Sequence, residues 1–513
     1  MGRRWEEIPI EINMIVDWKK ILLKPSHPPI PNVRARKDDT LYFDSLTKGT
    51  LMSGDPGTGK TTTLAMMLID YALKYPNRPI FVLDASESLT NEFIELYHGL
   101  PPEDFAKIDW RFVLDLPGHP EYALAKPMFS SEYGLSDEEL VQKAQRVIEE
   151  LNSAKLSQTP MMASAITSTA PHLFRLIQAI KNDDWRSWQI TEAKRLLIDS
   201  YEGGELGMAC KKYGEFVPDA KWYLEKVLLR EKLTPQGREA STKSLIDALS
   251  VIEPKPLRAR YGTDKPGVTV QEIIEKSLIY FVGGSALNNQ KNGQAFVFWD
   301  EYMSLKSIIN KRTPHDDNDV PVLLVIDEVY QLFKIPGMAE EIGQISAYYR
   351  SRKLQLIMVI QAFWQLDEIL KDQIWNLGNL VTFALGNHDD AYKFSQQAFK
   401  YDQRQEKMPA RSEGGQPILE TDRGQHLTEA DWIQNLGWRQ MVMRRYINER
   451  ERESFVTFIK RTRDKPQVHL AEPLESIKER LFKRRAIPIR EALREINQRK
   501  ITFTTKRPSI KSS

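Results

Sequence analysis

Gly54-Asp55-Pro56-Gly57-Thr58-Gly59-Lys60-Thr61 follows an apolar-ended segment, Lys48 to Ser53, and opens a helical pattern running from Thr61 to Tyr75. The spacing G-x-x-x-x-G-K-[ST] between a strand and a helix is a phosphate-binding loop. Its glycines let successive backbone N–H groups turn toward anionic oxygens, and the helix N-terminus adds a partial positive charge. Lys60 is expected to reach the β- and γ-phosphates and the Thr61 hydroxyl to hold Mg²⁺. The loop, with Thr62 beside it, therefore predicts a site for ATP and Mg²⁺.

A phosphate loop alone suits a kinase, a GTPase or a motor, so its partners must decide. Val322-Leu323-Leu324-Val325-Ile326-Asp327-Glu328 is a run of five apolar residues, the signature of a strand buried on both faces, ending in two carboxylates. In this Walker B pattern Asp327 is expected in the Mg²⁺ shell, with Glu328 polarising the attacking water. The pair points to hydrolysis, and no base-reading motif of a GTPase accompanies it. A second apolar strand, Leu356 to Ile360, ends in Gln361 at the carboxyl edge, where nucleotide sites of parallel sheets form. Gln361 is a candidate sensor of the γ-phosphate. Arg350 and Arg352 precede that strand, and either is a candidate arginine finger acting on a neighbouring subunit's site.

The order strand, helix, strand from Lys48 to Asp84, where Pro79 to Leu83 forms the second apolar run, begins a parallel α/β sheet. Helical periods then dominate, in Ser136 to Ala154, Pro171 to Ile180, Trp188 to Ser200 and Lys221 to Glu231, before strand-like runs resume at Leu278 to Val282. The expected organisation is an extended arm over 1–45, a first part of the core over 46–88, a helical insertion over 89–270, a second part of the core over 271–470, and a basic tail over 471–513. Gln440 to Ile447 and Ser454 to Ile459 read as an antiparallel closing pair.

The 513 residues carry a net charge of only +2, but Ile477 to Ser513 holds 12 Lys+Arg against 3 Asp+Glu, a local +9 that leaves −7 elsewhere. Such a tail suits an acidic partner such as nucleic acid. No run of 18 apolar residues suggests a membrane span, and the single Cys210 excludes an intrachain disulfide, so the reading is cytoplasmic. Trp364, Trp375, Trp432 and Trp438 are assigned to packing. The polar stretch Arg404 to Gly415 reads as a long loop able to face a pore. His388-Asp389-Asp390 reads as a helix N-terminus rather than a metal motif, and Asp84-Ala85-Ser86-Glu87 is left unassigned between helix cap and metal site.

These elements together resemble the HerA/FtsK superfamily of P-loop motors, especially HerA-like and conjugative type IV secretion ATPases. The resemblance rests on Gly54 to Thr61, Asp327-Glu328, Arg350-Ser351-Arg352 leading to Gln361, and the following Asn376 to Phe383 segment. It implies an α/β fold with a RecA-like P-loop core and a mostly parallel sheet, interrupted by a large α-helical insertion. It further implies a homo-oligomeric ring, usually a hexamer, that moves double-stranded DNA without sequence preference. Lys60 and Thr61 would be the phosphate and Mg²⁺ ligands, Glu328 the catalytic carboxylate, Gln361 the sensor and Arg350 the finger. Partners would be a nuclease, a relaxase, or a capsid or secretion component. Two features depart from the pattern: Ile360 stands where the family often has Thr before the sensor, and Ala362-Phe363-Trp364 replaces Ser-rich residues after it. The alternatives are an AAA+ protein remodeller, which the 267-residue separation of Lys60 from Asp327 opposes, and a nucleotide-dependent scaffold with little turnover, which intact Lys60 and Glu328 oppose.

Overall fold

The computed structural model describes residues 49–130, 134–156, 165–183, 188–200, 204–229, 235–287, 293–316, 318–328, 341, 349–366, 371, 374–375, 377–399, 406–411, 417–419, 421–446, 455–461 and 464–499. The arm expected over 1–45 lies outside them.

Strands β1 (Thr50–Ser53), β2 (Ile80–Asp84) and β3 (Phe112–Asp115) alternate with helices α1 (Lys60–Lys74), α2 (Ser88–His98) and α3 (Pro102–Asp109). The short strand β4 (Tyr122–Ala123) precedes the helical region. Strands β5 (Ile279–Gly283), β6 (Val322–Asp327), β7 (Leu354–Val359) and β8 (Asn379–Thr382) complete the parallel part. Then come a hairpin, β9 (Glu406–Arg411) with β10 (Pro417–Leu419), the antiparallel pair β11 (Gln440–Tyr446) and β12 (Phe455–Arg461), and β13 (Ile487–Pro488), which pairs with β4.

The main sheet has nine strands in the order β12-β11-β8-β1-β7-β6-β2-β5-β3. All neighbours from β8 to β3 run parallel, and β11 joins β8 antiparallel. The apolar runs dictate this arrangement: every residue of β1, β2, β6 and β7 is buried, as parallel strands covered on both faces require. One strand, β7, separates the phosphate-loop strand β1 from the Walker B strand β6, so the ends of all three meet at the carboxyl edge. This is a RecA-like α/β core. The closing pair appears where expected, with Gln440 opposite Arg461.

By its contacts the chain divides into two units. The first comprises the chain through Asp115, then Glu272–Ser285 and Leu305–Leu481; the second comprises Leu116–Gln271, Ala286–Ser304 and the chain from Phe482. The helical unit therefore begins later than residue 89, because α2, α3 and β3 complete the sheet edge. The four residues of β3 are too few for a periodicity to register beside the helical periods around them.

In the helical unit, helices Asp137–Leu156 and Ala170–Asp183 pack against each other. The basic tail is not all tail. Leu474–Lys483 and Ile489–Asn497 are helices, and Ile489, Ala492 and Ile496 bury one face of the latter within the helical unit. The expected loop Arg404 to Gly415 also differs: its residues 406–411 form β9, while 404–405 and 412–415 lie outside the described residues. Among the described residues no helix is long and apolar enough to cross a membrane.

Candidate nucleotide-binding site

At the carboxyl edge of the sheet, β1 runs into the loop and the loop into α1. Gly57 and Gly59 adopt φ of 77° and 100°, a region costly for other residues, and a Cβ on Gly59 would lie 2.8 Å from the Arg439 Cγ. Helix α1 has no side-chain N-cap and no acidic residue in its first turn. Its N-terminal N–H groups and positive dipole end are thus left for an anion.

Lys60 is 7% exposed, and its Nζ donates to the carbonyls of Gly54 and, at 2.8 Å, Asp55. Burial brings its pKa down to about 8, against the opposing pull of Asp327, Asp55 and Glu328. Two other loop side chains serve the loop itself: the Asp55 carboxylate accepts from Gly386 N at 2.7 Å, and the Thr58 hydroxyl donates to the Asp55 carbonyl at 2.7 Å.

Pro56, Gly57, Gly59, Lys60, Thr61 and Thr62 line a cavity of about 320 Å³ together with Asp327, Glu328 and Gln361. Residues drawn from three distant stretches are thereby brought together. Gly54, Asp55 and Thr58 do not line it and shape the loop through the contacts just described.

Asp327 ends β6 in register with Asp84, which ends the neighbouring β2. Asp327 Oδ1 accepts from the Glu328 N–H at 3.1 Å, while Oδ2 is buried with no hydrogen-bond partner. Burial pushes its pKa well up, and the facing Asp84 and Glu328 push it further. An orphaned carboxylate oxygen beside two like charges is the environment a divalent cation relieves, so the residues present fit Mg²⁺, with Thr61 at the first turn of α1 as the hydroxyl ligand.

Glu328 has φ 57°, strain of about 1–3 kcal/mol for a non-glycine residue, and its Oε1 accepts from Gln361 Nε2 at 3.1 Å. Burial raises the Glu328 pKa, opposed by the Gln361 hydrogen bond and by Lys60.

The sensor loop is itself pinned. Phe363 N donates to Asp390 Oδ2 at 2.9 Å, and Phe363 stacks on Trp375 with ring centroids 4.6 Å apart. Asp390 lies in the first turn of the helix His388–Ala398, where the Asn387 side chain accepts from the N–H groups of Asp389 and Asp390. The His388-Asp389-Asp390 stretch is thus a helix N-terminus, as its residue types indicate.

Arg350 is not brought to this cavity. It lies in the short turn Tyr349–Arg352 that leads into the amino end of β7, whereas Gln361 follows the carboxyl end, a strand length of roughly 20 Å away. Arg352, beside it, is buried, and its carbonyl accepts from Arg312 Nη1 at 3.2 Å.

Four residues at the site escaped sequence reasoning. Asp84 was visible as a carboxylate closing an apolar strand. Its Oδ2 accepts from the N–H and hydroxyl of Thr90 in the first turn of α2, both at 2.7 Å, and it also faces Asp327. Ser88 and Trp438 line the cavity, and Arg439 N donates to the Thr58 carbonyl at 3.1 Å. No local pattern marks a turn near the end of the sheet as a neighbour of a loop near its start. The packing assignment of the tryptophans is corrected for two of them: Trp364 is 66% and Trp438 58% exposed.

Residues 321–437 match the family model described as the TraM recognition site of TraD and TraG. That span carries Asp327, Glu328, Arg350 and Gln361. The fold is shared with solved structures of conjugative coupling proteins at low sequence identity. The unbound monoclinic form of the bacterial conjugative coupling protein TrwBdeltaN70 is 13% identical, with 90% of this chain and 96% of that one covered and a TM-score of 0.56. The plasmid coupling protein TrwB in complex with ADP and Mg²⁺ is 14% identical, over 90% and 95% of the two chains, with a TM-score of 0.56. TrwB with a non-hydrolysable ATP analogue is 13% identical, over 88% and 93%, with a TM-score of 0.54. No curated protein matches the chain.

Proposed function

We propose that this chain is an ATP-hydrolysing motor that acts on DNA in conjugative transfer, working in the cytoplasm as a homo-oligomeric ring. The observation that carries the reading is the Glu328–Gln361 hydrogen bond beside Lys60 and the orphaned Asp327 oxygen: a poised base, a switchable amide, a phosphate-directed cation and a metal ligand in one cavity. The family match over 321–437 and the fold shared with coupling proteins, one of them described with ADP and Mg²⁺, support the conjugative assignment.

In this reading Lys60 leaves the carbonyls of Gly54 and Asp55 for the β- and γ-phosphates, and Thr61 and Asp327 hold Mg²⁺. The metal, when bound, neutralises phosphate charge as the γ-phosphoryl group departs. Glu328 orients and accepts a proton from the attacking water. Gln361 now donates to Glu328 and so favours the charged carboxylate. If Gln361 turns to the γ-phosphate, Glu328 loses that donor and becomes a stronger base, which ties base strength to the arrival of the triphosphate.

Arg350, at the far end of β7, serves a neighbour's site rather than its own. DNA is held through its backbone, double-stranded and without sequence preference. A relaxase is the partner that conjugation implies; a nuclease or a capsid protein would mark packaging or resection instead.

The test is ATP turnover with and without double-stranded DNA, together with the mass of the assembly. DNA-stimulated turnover by a multimer is expected, and a monomer whose turnover ignores DNA would sink the motor reading. Arg350→Ala protein mixed with Lys60→Ala protein should regain part of the lost activity, since the intact finger of one completes the intact pocket of the other.

A further inference from the structure

The cavity has a side that the catalytic groups do not use. Asp327 ends β6 and Glu328 follows it, two strands from β1 in one direction; Trp438 leads into β11, two strands from β1 in the other. At roughly 4.8 Å between strands, the end of β6 and the start of β11 lie about 10 Å to either side of β1. Trp438 lines the same cavity as Lys60 and Gln361 and is 58% exposed, an unusual exposure for so large an aromatic ring.

The ring is also held in place. The Arg439 guanidinium lies over it, 4.0 Å from the centroid, and Arg439 is itself buried, with its N–H on the Thr58 carbonyl and its Cγ against Gly59. The turn that carries Trp438 is closed by Gln440 N donating to the Gly437 carbonyl at 2.8 Å and Gly437 N donating to Gln440 Oε1 at 2.7 Å. An exposed aromatic ring backed by a buried cation and locked to the phosphate loop is a preformed stacking surface.

We propose that Trp438 is the platform on which the base of the bound nucleoside triphosphate stacks, so that the site selects purines by ring area and does not distinguish adenine from guanine. The inference rests on the nucleotide-binding reading above and adds the recognition of the base to it. Stacking is tolerant of base identity because every base offers a π-face. A motor without a guanine-reading motif has this simple way to hold its fuel.

The test is calorimetric binding of ATP, GTP, CTP and inorganic tripolyphosphate, each with Mg²⁺, to the full chain as wild type, Trp438→Ala and Trp438→Phe. Wild type should bind ATP and GTP within a few-fold of each other and CTP more weakly. Trp438→Ala should weaken ATP and GTP about tenfold and leave tripolyphosphate unchanged. Trp438→Phe should recover most of the loss. Unchanged ATP affinity in Trp438→Ala overturns the proposal. So does an equal loss for tripolyphosphate, which would make Trp438 a prop for the loop, or an altered assembly mass, which would make it an interface residue. A wild type that binds tripolyphosphate but no nucleotide better removes the base platform alone, whereas one that binds neither removes the nucleotide reading with it.

Discussion

In the helical unit Glu301 lies between Lys126, at 3.3 Å, and Arg260, while Asp300 faces Lys143 at 3.0 Å; all five are buried and each carboxylate has its cation. In the sheet unit Asp327 is equally buried, yet it faces two more carboxylates, Asp84 and Glu328, whose push on its pKa outweighs the pull of Lys60. Burying charge is costly in both places. In the first the protein meets that cost with its own cations; in the second it leaves the cost for a ligand to relieve. The contrast separates charge that holds a fold together from charge held ready for chemistry, and it yields opposite expectations for similar substitutions.

The largest effect belongs to the ready charge. Glu328→Gln keeps the size and the Gln361 contact of the side chain but removes the base, so single-turnover hydrolysis should fall by about 10²–10⁴. ATP affinity should hold and the bound nucleotide should persist as ATP, read by quenching and chromatography. Undiminished hydrolysis would move the base elsewhere and erase the distinction drawn at this site.

Next come paired substitutions, one in each unit. Glu301→Gln strands Lys126 and Arg260 without their counter-charge, and the denaturant midpoint should report a loss of about 3–5 kcal/mol. Asp327→Asn removes one of three clustered carboxylates, so the ligand-free protein should be as stable as wild type or more so, while the Mg²⁺ dependence of ATP binding is lost. A destabilised Asp327→Asn protein would mean that Lys60 needs that carboxylate structurally, and the contrast between the units would collapse.

The sequence exposes the ready charge more readily than the paired charge, for a physical reason. Asp327, Glu328 and Gln361 each close a run of apolar residues, and Lys60 sits in a loop of fixed glycine spacing, so local pattern alone leads to the cavity. Lys126, Arg260 and Glu301 meet only through the fold, with no periodicity to announce them. The same holds for Arg439 against Thr58, and for Asp84 opposite Asp327, whose register depends on two strands 243 residues apart pairing side by side. The helix Ile489–Asn497 was hidden differently: its charge suggested a solvated tail, although Ile489, Ala492 and Ile496 form a buried stripe at helical spacing. Chain-order motifs locate a site; the neighbours that tune it come from topology.

A further buried carboxylate tests where the boundary lies. Glu429, on the helix Asp422–Gln434, has no Lys or Arg against it among the described residues; its Oε2 lies 2.8 Å from Nδ1 of His426, whose Nε2 is 3.4 Å from Asp422. Burial, with Asp422 adding to it, pushes the Glu429 pKa up to about 9, and burial lowers that of His426, so at neutral pH the pair is a protonated acid donating to a neutral imidazole. The folded state then holds a proton that the unfolded chain, with an ordinary Glu, has released. The Glu429 share of the stability is fully present below pH 4.5 and is lost progressively as pH rises toward 9, while His426, kept neutral by burial, works in the opposite sense and loses its share as pH falls below the ordinary imidazole value. Glu429→Gln retains a donor to Nδ1 but has no proton to lose. Its melting temperature should therefore gain a few degrees on wild type at pH 8.5 and little at pH 5. An equal shift at both pH values would show Glu429 to be charged in the fold, and would place it with Asp327 among the carboxylates awaiting a partner.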